Sequence, residues 1–454
     1  MRISKFLRRS ILSTDWCRFD YHAKRVKTLG LLRCPITLNS IISDSGFWRV
    51  LRLSRPLAQL CPSLRHLRWS SFAHHVPLED ALSLVGPQTY HLLLGIKAWD
   101  LAKIFSIQSI PIRCPHITHL RVSVYDDQSV ETDLFRLREI VCEIVCCYQL
   151  VDFSFCQSLS QRALLHLAGM PALQKLTLDV SSGDDLISLS LPQCAFPALR
   201  DLNLTGKMAS AFLEALPSCK LEAIEVRFEP TTNAADIMAR FFQVLHERCA
   251  HQSLSRISVR FKADIIHSHY TDIEGYMLQP LLSFMNLQDM TITIHRTFRI
   301  DNNFIEAAAK SWPCLRSLKL GLGWGNDSWG GRSNITLTGL ASLARHCPDL
   351  TSLGIVIDAT VVDHVLDIPV SNTKLNALNL GDSIIQNPAS VAAYLSRIFP
   401  YLTSVYSWQF HFIQAEREKM RKKYRDRWNE VGRLIKISAD VHKMERSKMD
   451  GGMK

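Results

Sequence analysis

The stretch CPSLRHLRW, residues 61–69, decides the fold, because close copies of it return along the chain. Each copy has an apolar residue and a proline, followed by the pattern L-x-x-L-x-L or a variant of it. The copies are CPHITHLRV from Cys114, MPALQKLTL from Met170, FPALRDLNL from Phe196, WPCLRSLKL from Trp312, CPDLTSLGI from Cys347 and FPYLTSVYS from Phe399. With weaker copies in the gaps, the unit recurs about every 28 residues, which is the leucine-rich-repeat period.

The spacing within the unit predicts a strand followed by a helix. The last two leucines stand two residues apart, so both side chains lie on one face of a strand and point inward. Residues with helical apolar spacing follow, and a proline then ends each helix. One unit cannot bury its own leucines, whereas stacked units share a core. We therefore expect an α/β leucine-rich-repeat solenoid with parallel strands on its concave wall and helices outside. The leucine-position pairs expected to be buried are Leu67 and Trp69, Leu176 and Leu178, Leu202 and Leu204, and Leu318 and Leu320.

The repeats depart from the common pattern at the turn after the strand. Common repeats carry Asn or Cys three residues after the last leucine, where the side chain bonds the turn backbone. Here those places hold Phe72, Tyr125, Ser181, Lys207, Gly323, Asp358 and Ser383. We therefore expect irregular, longer repeats.

Positive charge is concentrated at the two ends of this 454-residue chain, whose net charge is +11. Residues 1–33 hold nine Lys and Arg against two Asp and Glu, and residues 416–454 hold thirteen against seven. The middle is therefore near neutral. The extent of the repeats divides the chain into an N-terminal segment over 1–55, the solenoid over 56–410 and a basic amphipathic helix over 411–454.

The C-terminal helix is expected to fold back as a cap on the open end of the solenoid. Its apolar residues recur at helical spacing, and we expect them to share one buried face near Leu402 and Val405 while the Lys and Arg side chains stay in solvent. The residues of this face are Met420, Tyr424, Trp428, Val431 and Ile435. The alternative is a detached basic helix that binds acidic partners or a membrane surface.

The composition favours a cytoplasmic or nuclear protein. No run of about 18 apolar residues is long enough to span a membrane, and the N-terminus lacks the apolar core of a secretory signal. Thiols precede proline in four copies of the unit, at a position where Met, Phe or Trp stands in others, so they are predicted to be buried and reduced. These residues are Cys34, Cys61, Cys114 and Cys347.

No motif of the sequence predicts catalysis, a cofactor or a metal site. The glycines of GLGWGNDSWGGRS, residues 321–333, do not have the G-x-G-x-x-G spacing of a nucleotide loop, so a surface loop is favoured. Its Trp324 and Trp329 are candidates for a contact patch. C-x-x-C and H-E-x-x-H spacings are absent. The cysteines and paired histidines considered and set aside as ligands are Cys142, Cys146, Cys147, His74, His75, His267 and His269.

The outward side of the strands is the remaining candidate site. Residues between the buried leucines point away from the core, and they form a surface of mixed charge with aromatic side chains at one end. Such a surface suits the recognition of a protein. The residues nominated are His66, Arg68, His119, Arg121, Lys175, Asp201, Arg227, Arg256, Arg260, Lys319, Tyr406 and Trp408.

Two stretches outside the repeats resemble a known family. STDWCRFDYHAKRVKTLGL, residues 13–31, is similar to the block that follows the F-box in the F-box/leucine-rich-repeat proteins of mushroom-forming fungi. RWNEVGRLIKISADV, residues 427–441, is similar to the C-terminal helix of the same proteins. In that family the F-box docks on the adaptor of a cullin-type ubiquitin ligase, and the repeats select the protein to be ubiquitinated. The resemblance implies a substrate receptor without enzymatic activity of its own.

The F-box itself is not visible in the sequence. It usually opens with Leu-Pro and an acidic residue two positions on, and the Leu-Pro pairs at Leu191 and Leu216 lie within the repeats and lack that acid. We therefore expect the ligase adaptor to bind only when an F-box stands upstream.

Three functions remain open at this point. The first is a substrate receptor of a ubiquitin ligase that holds an unknown target protein on its concave wall. The second is a repeat scaffold without linkage to a ligase. The third is a basic nucleic-acid-binding repeat protein, which the near-neutral middle disfavours because such proteins align Lys and Arg along one face. No membrane partner is expected.

Overall fold

The computed structural model describes residues 12–31, 53–54, 59–70, 78–97, 105–125, 131–181, 190–229, 231, 233–261, 272–294, 298–321, 333–362, 371–409 and 415–451. The chain divides into two compact units, Met1–Leu204 and Thr205–Lys454, which we call unit 1 and unit 2.

Strands alternate with helices along unit 1. The helices are α1 Ser13–Ala23, α2 Leu78–Leu82, α3 Ile110–Arg113, α4 Glu131–Val145 and α5 Gln161–Ala168. The strands are β1 Thr28–Leu31, β2 His66–Ser70, β3 His91–Lys97, β4 His119–Tyr125, β5 Asp152–Phe155, β6 Lys175–Asp179 and β7 Asp201–Thr205, the last ending at the unit boundary. From β1 to β6, each strand pairs in parallel with the next one in the sequence.

Unit 2 repeats the same alternation. Its helices are α6 Ala209–Ala215, α7 Ala234–Arg248, α8 Gly275–Leu278, α9 Asn302–Ser311, α10 Leu337–His346, α11 Pro388–Ile398 and α12 Ala415–Gly451, with a 3₁₀ helix at Gln279–Ser283. Its strands are β8 Ala223–Phe228, β9 Arg256–Phe261, β10 Ile273–Glu274, β11 Asp289–Thr293, β12 Phe298–Arg299, β13 Ser317–Leu320, β14 Ser352–Gly354, β15 Asp358–Ala359, β16 Ala377–Asn379, β17 Ile384–Ile385 and β18 Ser404–Tyr406. The main sheet runs parallel in the order β8, β9, β11, β13, β14, β16, β18. Two small parallel pairs, β10 with β12 and β15 with β17, lie outside it.

The burial of the strands confirms the leucine-rich-repeat solenoid predicted from the repeat. All four predicted leucine-position pairs are buried, none more than 3% exposed. In β6 the exposure alternates, with Lys175 exposed, Leu176 and Leu178 buried, and Thr177 half-buried between them. This period of two is what a strand with one buried face requires.

Helices α5, α9, α10 and α11 begin at polar caps and end two or three residues before a proline, as the spacing predicts, whereas no proline follows α4 and α7 so closely. The Asp301 carboxylate accepts a hydrogen bond from the Phe304 amide at 2.9 Å and so starts α9. Asn387 does the same for α11, with Pro388 in the first helical position. α10 ends at His346, two residues before Pro348. The caps and prolines set where each strand begins.

Ser383 shows how an irregular turn replaces the asparagine of the common repeat. Its side chain is fully buried, its hydroxyl donates to the Leu380 carbonyl, and the same oxygen accepts from the Ile357 amide at 2.8 Å. A buried hydroxyl thus joins two neighbouring repeats. Phe72 and Gly323, which occupy the equivalent place in other repeats, lie outside the described residues.

Helix α12 packs against α11, β17 and β18. Its buried face consists of Trp428, Val431, Ile435 and Ala439, which are at most 1% exposed. The Trp428 indole N–H donates to the Ser383 carbonyl at 2.9 Å. The helix therefore buries an apolar stripe within unit 2, and its action as a cap remains a prediction.

Two expectations about α12 were wrong. Met420 is 48% exposed, and Arg421 is buried in its place. Two steps of four residues overshoot two full helical turns by about 80°, so Met420 lies off the face that holds Trp428. The basic side chains are not all in solvent either, because the half-buried Arg427 donates from Nη1 to the Ile385 carbonyl at 2.7 Å.

Candidate functional site

The outward side chains of β2, β3 and β4 form one surface in unit 1. In the strand register His66 pairs with His91, which pairs with His119, and the next row contains Arg68, Leu93 and Arg121. The three strands contain no Asp or Glu. We call this surface the basic wall. Its residues, all half-buried or exposed, are His66, Arg68, His91, Leu93, His119 and Arg121.

The three histidine rings lie side by side across the strands. Ring centroids are 5.3 Å apart for His66 and His91, and 5.0 Å apart for His91 and His119, whose planes differ by only 11°. The Tyr90 hydroxyl lies 2.8 Å from His66 Nε2, and the Thr118 hydroxyl lies 2.9 Å from His119 Nδ1. The two outer rings are therefore held by hydrogen bonds, and the inner ring is held by its stacking.

Sequence reasoning did not nominate His91, although it is the centre of the row. It lies in TYHLLL, a poorer copy of the repeat in which Thr89 replaces the first leucine, although Pro87 and the spacing of the unit are present. The sequence did contain a signal for the row, because a histidine directly precedes the first buried leucine in β2, β3 and β4.

The surroundings of His91 disfavour its protonation. Burial lowers the pKa of the imidazole most, and positive charge on His119, His66 and Arg121 lowers it further, while Asp152 acts in the opposite direction. Three adjacent imidazoles cannot all take up a proton without repulsion. His91 therefore favours its neutral form unless a negative charge approaches it.

An acidic residue next to the basic wall already forms an ion pair with an arginine of the wall. Asp152, on β5, accepts from Arg121 Nη2 at 2.6 Å, and its side chain is only 9% exposed against 45% for Arg121. Arg68 is exposed, and within the described residues it has no hydrogen-bond or ion-pair partner. Among the described residues, Arg68 thus presents positive charge to which no acidic side chain is paired.

The other nominated positions carry more balanced charge. In unit 1, Lys175 pairs with Asp201 at 2.9 Å. In unit 2, Glu225 accepts from Arg227 at 2.9 Å and lies 3.8 Å from Arg260. The remaining unit 2 positions on the strands are exposed and comprise Arg256, Lys319 and Tyr406.

Trp408 differs from the other nominated residues. It follows β18 by two residues, with a backbone φ of 55°, and its indole N–H donates to the Ser383 carbonyl at 2.8 Å. Its ring stacks on Tyr424 of α12, with centroids 5.5 Å apart. Trp408 therefore belongs to the packing of α12, and we leave it out of the proposed binding surface.

The described residues offer no alternative chemical site of the kinds considered from the sequence. Among them, no group of three or more His, Cys, Asp or Glu side chains is placed to hold a metal ion. None of the described helices is long and apolar enough to cross a membrane. Several residues considered earlier lie outside the described part of the chain, namely His74, His75, His267, His269, Trp324, Trp329 and Cys34.

Comparison with known proteins leaves the family open. No protein-family model matches the chain. No curated protein matches it. Among solved structures, it is similar to a chain in the crystal structure of the Rad7 and Elc1 complex in yeast, with a TM-score of 0.37 and 15% sequence identity over 86% of this chain and 78% of that chain. A likeness of that size fixes neither the family nor the activity.

Proposed function

We propose that the chain is a protein-recognition module of the leucine-rich-repeat type, whose basic wall binds an acidic segment of a partner protein. One observation carries the proposal. Five outward side chains on three consecutive strands are cationic or can become so, and the strands contain no acid. Charge complementarity of this kind selects a partner and steers its approach.

The geometry suits an extended acidic chain. The Arg68 guanidinium has no partner among the described residues and can donate to a carboxylate, and Leu93 offers an apolar contact between the two arginines of its row. His91 adds dependence on pH, because its surroundings lower the pKa of its imidazole. A bound carboxylate favours the charged imidazole, so binding takes up a proton and affinity rises as the pH falls.

The test is fluorescence anisotropy of a labelled peptide with alternating Glu and Gly, titrated with the full chain. We expect tighter binding at pH 6 than at pH 8, and no binding of the matched Gln and Gly peptide. Arg68→Gln removes one exposed charge and should weaken binding about fivefold, which corresponds to about 1 kcal/mol. Arg162→Gln changes an exposed arginine on helix α5 and should have no effect.

Three outcomes would contradict the proposal. Equal affinity for the Gln and Glu peptides would show that the charge of the peptide does not determine binding. An equal loss in Arg162→Gln would show a diffuse effect of net charge. Tighter binding of a single-stranded oligonucleotide of the same length than of the Glu peptide would move the assignment to nucleic acid.

The ligase linkage is a finer proposal that rests on the sequence resemblance. Residues 13–31 form α1 and β1, and β1 pairs with β2 so that Thr28 lies opposite His66. The stretch that resembles the block after an F-box is thus part of the solenoid of unit 1. We propose a substrate receptor of the cytoplasm or nucleus, in keeping with its buried proline-adjacent thiols Cys61, Cys114 and Cys347.

A pull-down with the ligase adaptor tests this linkage. The chain of residues 1–454 should not retain the adaptor, and the same chain with an F-box fused upstream should. Retention without the fusion would show a docking surface within these residues. Failure of the fused chain to support ubiquitination of a protein bound to the basic wall would favour a scaffold without ligase linkage.

A further inference from the structure

Two cysteines of unit 2 face each other at the ends of consecutive repeats. Cys249 follows α7 directly, and Cys219 lies between α6 and β8. Their backbones form an isolated parallel bridge, in which the Cys219 amide donates to the Arg248 carbonyl at 3.0 Å and the Ala250 amide donates to the Cys219 carbonyl at 2.9 Å. The bridge fixes both backbones independently of the side chains.

The two sulfur atoms are already in contact. The distance between Cys219 Sγ and Cys249 Sγ is 3.6 Å, and both thiols are free. Neighbouring parallel strands lie about 4.8 Å apart, within the separation that a disulfide tolerates between its backbones. Small side-chain rotations therefore suffice to bring the sulfurs to the bonded distance of about 2.05 Å.

The two thiols differ in reactivity. Cys219 is half-buried, and the hydrogen bond from Cys249 lowers the pKa of its thiol despite partial burial. The same hydrogen bond, together with burial, raises the pKa of Cys249, which is only 4% exposed. A thiolate is the attacking species in thiol chemistry, so we expect Cys219 to be the thiol that attacks an external reagent and Cys249 to be the resolving thiol.

We propose that Cys219 and Cys249 form an oxidation site at which a low-molecular-weight disulfide, such as glutathione disulfide, generates an intramolecular disulfide between consecutive repeats. The Cys219 thiolate attacks one sulfur of the reagent and releases one glutathione thiolate. Cys249 then loses its proton and attacks Cys219 Sγ, which releases the second glutathione. The two protein thiols lose two electrons and two protons, and the reagent takes up both.

The site does not depend on the proposed binding function, because it belongs to unit 2 and the strands of the basic wall belong to unit 1. Elsewhere in the described part of the chain, exposed cysteines such as Cys314 have no second sulfur within hydrogen-bond distance. These thiols should stop at the mixed disulfide with glutathione. The pair and the single thiols therefore give different products from one reagent.

The test uses the full reduced chain in a series of glutathione and glutathione disulfide buffers, followed by alkylation and mass spectrometry. The pair should lose about 2 Da, which is two hydrogens, while Cys314 gains glutathione. Trypsin without reduction should release fragments 208–220 and 249–256 joined to each other. Cys219→Ser should abolish this product, and Cys314→Ser should leave it unchanged.

The proposal is overturned if Cys219 accumulates only the mixed disulfide with glutathione, or if the joined fragments are absent when Cys314 has reacted completely. It is also overturned if fragment 249–256 is joined to other cysteine fragments as often as to 208–220. These outcomes are measured on the chain without substitutions, so they remain valid even if Cys219→Ser or Cys314→Ser impairs folding. As a second readout, the oxidised chain should melt at a higher temperature than the reduced chain, because the disulfide lowers the conformational entropy of the unfolded state.

Discussion

Replacing Trp428 with Ala tests whether α12 is held to unit 2 by its buried stripe. The side chain is 1% exposed, and removing a buried aromatic side chain of this size costs about 3–5 kcal/mol. The Ser383 carbonyl that accepts from the Trp428 indole also accepts from the Trp408 indole, so no buried acceptor is left without a partner. The cost should therefore come from lost apolar contact and the cavity.

Hydrogen exchange of the α12 amides measures this cost locally. The free energy needed to open α12 locally should fall by about 3–5 kcal/mol in Trp428→Ala. Its amides should therefore exchange about 10²–10⁴ times faster than in the natural chain. Trp428→Phe keeps most of the apolar contact and loses one hydrogen bond, so it should cost about 1 kcal/mol.

Met420→Ala is the matched control on the same helix. Met420 is 48% exposed and lies off the buried face, so its loss should change exchange less than about 2.5-fold, which corresponds to about 0.5 kcal/mol. Equal effects of Trp428→Ala and Met420→Ala would refute the packing of α12 described above.

Three further results are expected. In a histidine titration by NMR, His119→Gln should raise the pKa of His91, because the charge of His119 lowers it in the natural chain. Since the folded pKa of His91 lies below 6.5, the unfolded chain binds more protons just below that pH, so the stability of unit 1 should fall as the pH drops through it. Leu176→Ala should destabilise unit 1 by about 2–5 kcal/mol, against less than about 1 kcal/mol for the 37% exposed Leu165→Ala, measured by urea unfolding. Truncation after Ile413 should lower the melting temperature or solubility if α12 caps the repeats, and an unchanged, monomeric protein would favour a detached partner-binding helix.

The repeat predicted most of the fold because its signal is local and repeated. A leucine such as Leu176 is buried because the period of the strand places it inward, and copies of the same pattern place their own leucines alike. The helix boundaries followed for the same reason, since caps such as Asp301 act on the next few residues.

The features missed by sequence analysis depend on contacts between distant residues. Met420 was placed on the buried face of α12 because steps of four residues look regular, yet they drift against the true helical turn. Trp408 was assigned to the wall by counting, whereas its ring is covered by Tyr424 from α12. His91 was overlooked because its copy of the unit has Thr89 in place of the first leucine, and the pairing of β3 with β2 and β4 shows that it completes a row.

Site-specific photocrosslinking tests the central claim, that the basic wall contacts a protein partner, most directly. A photoreactive phenylalanine analogue replaces the half-buried Leu93 at the centre of the wall, and the control carries it at Leu165 on the helix side of unit 1. The account predicts adducts at Leu93 that map to runs of Asp and Glu in the partner and that Arg68→Gln diminishes. Adducts of the same peptides from both positions, or from Leu165 alone, would contradict it.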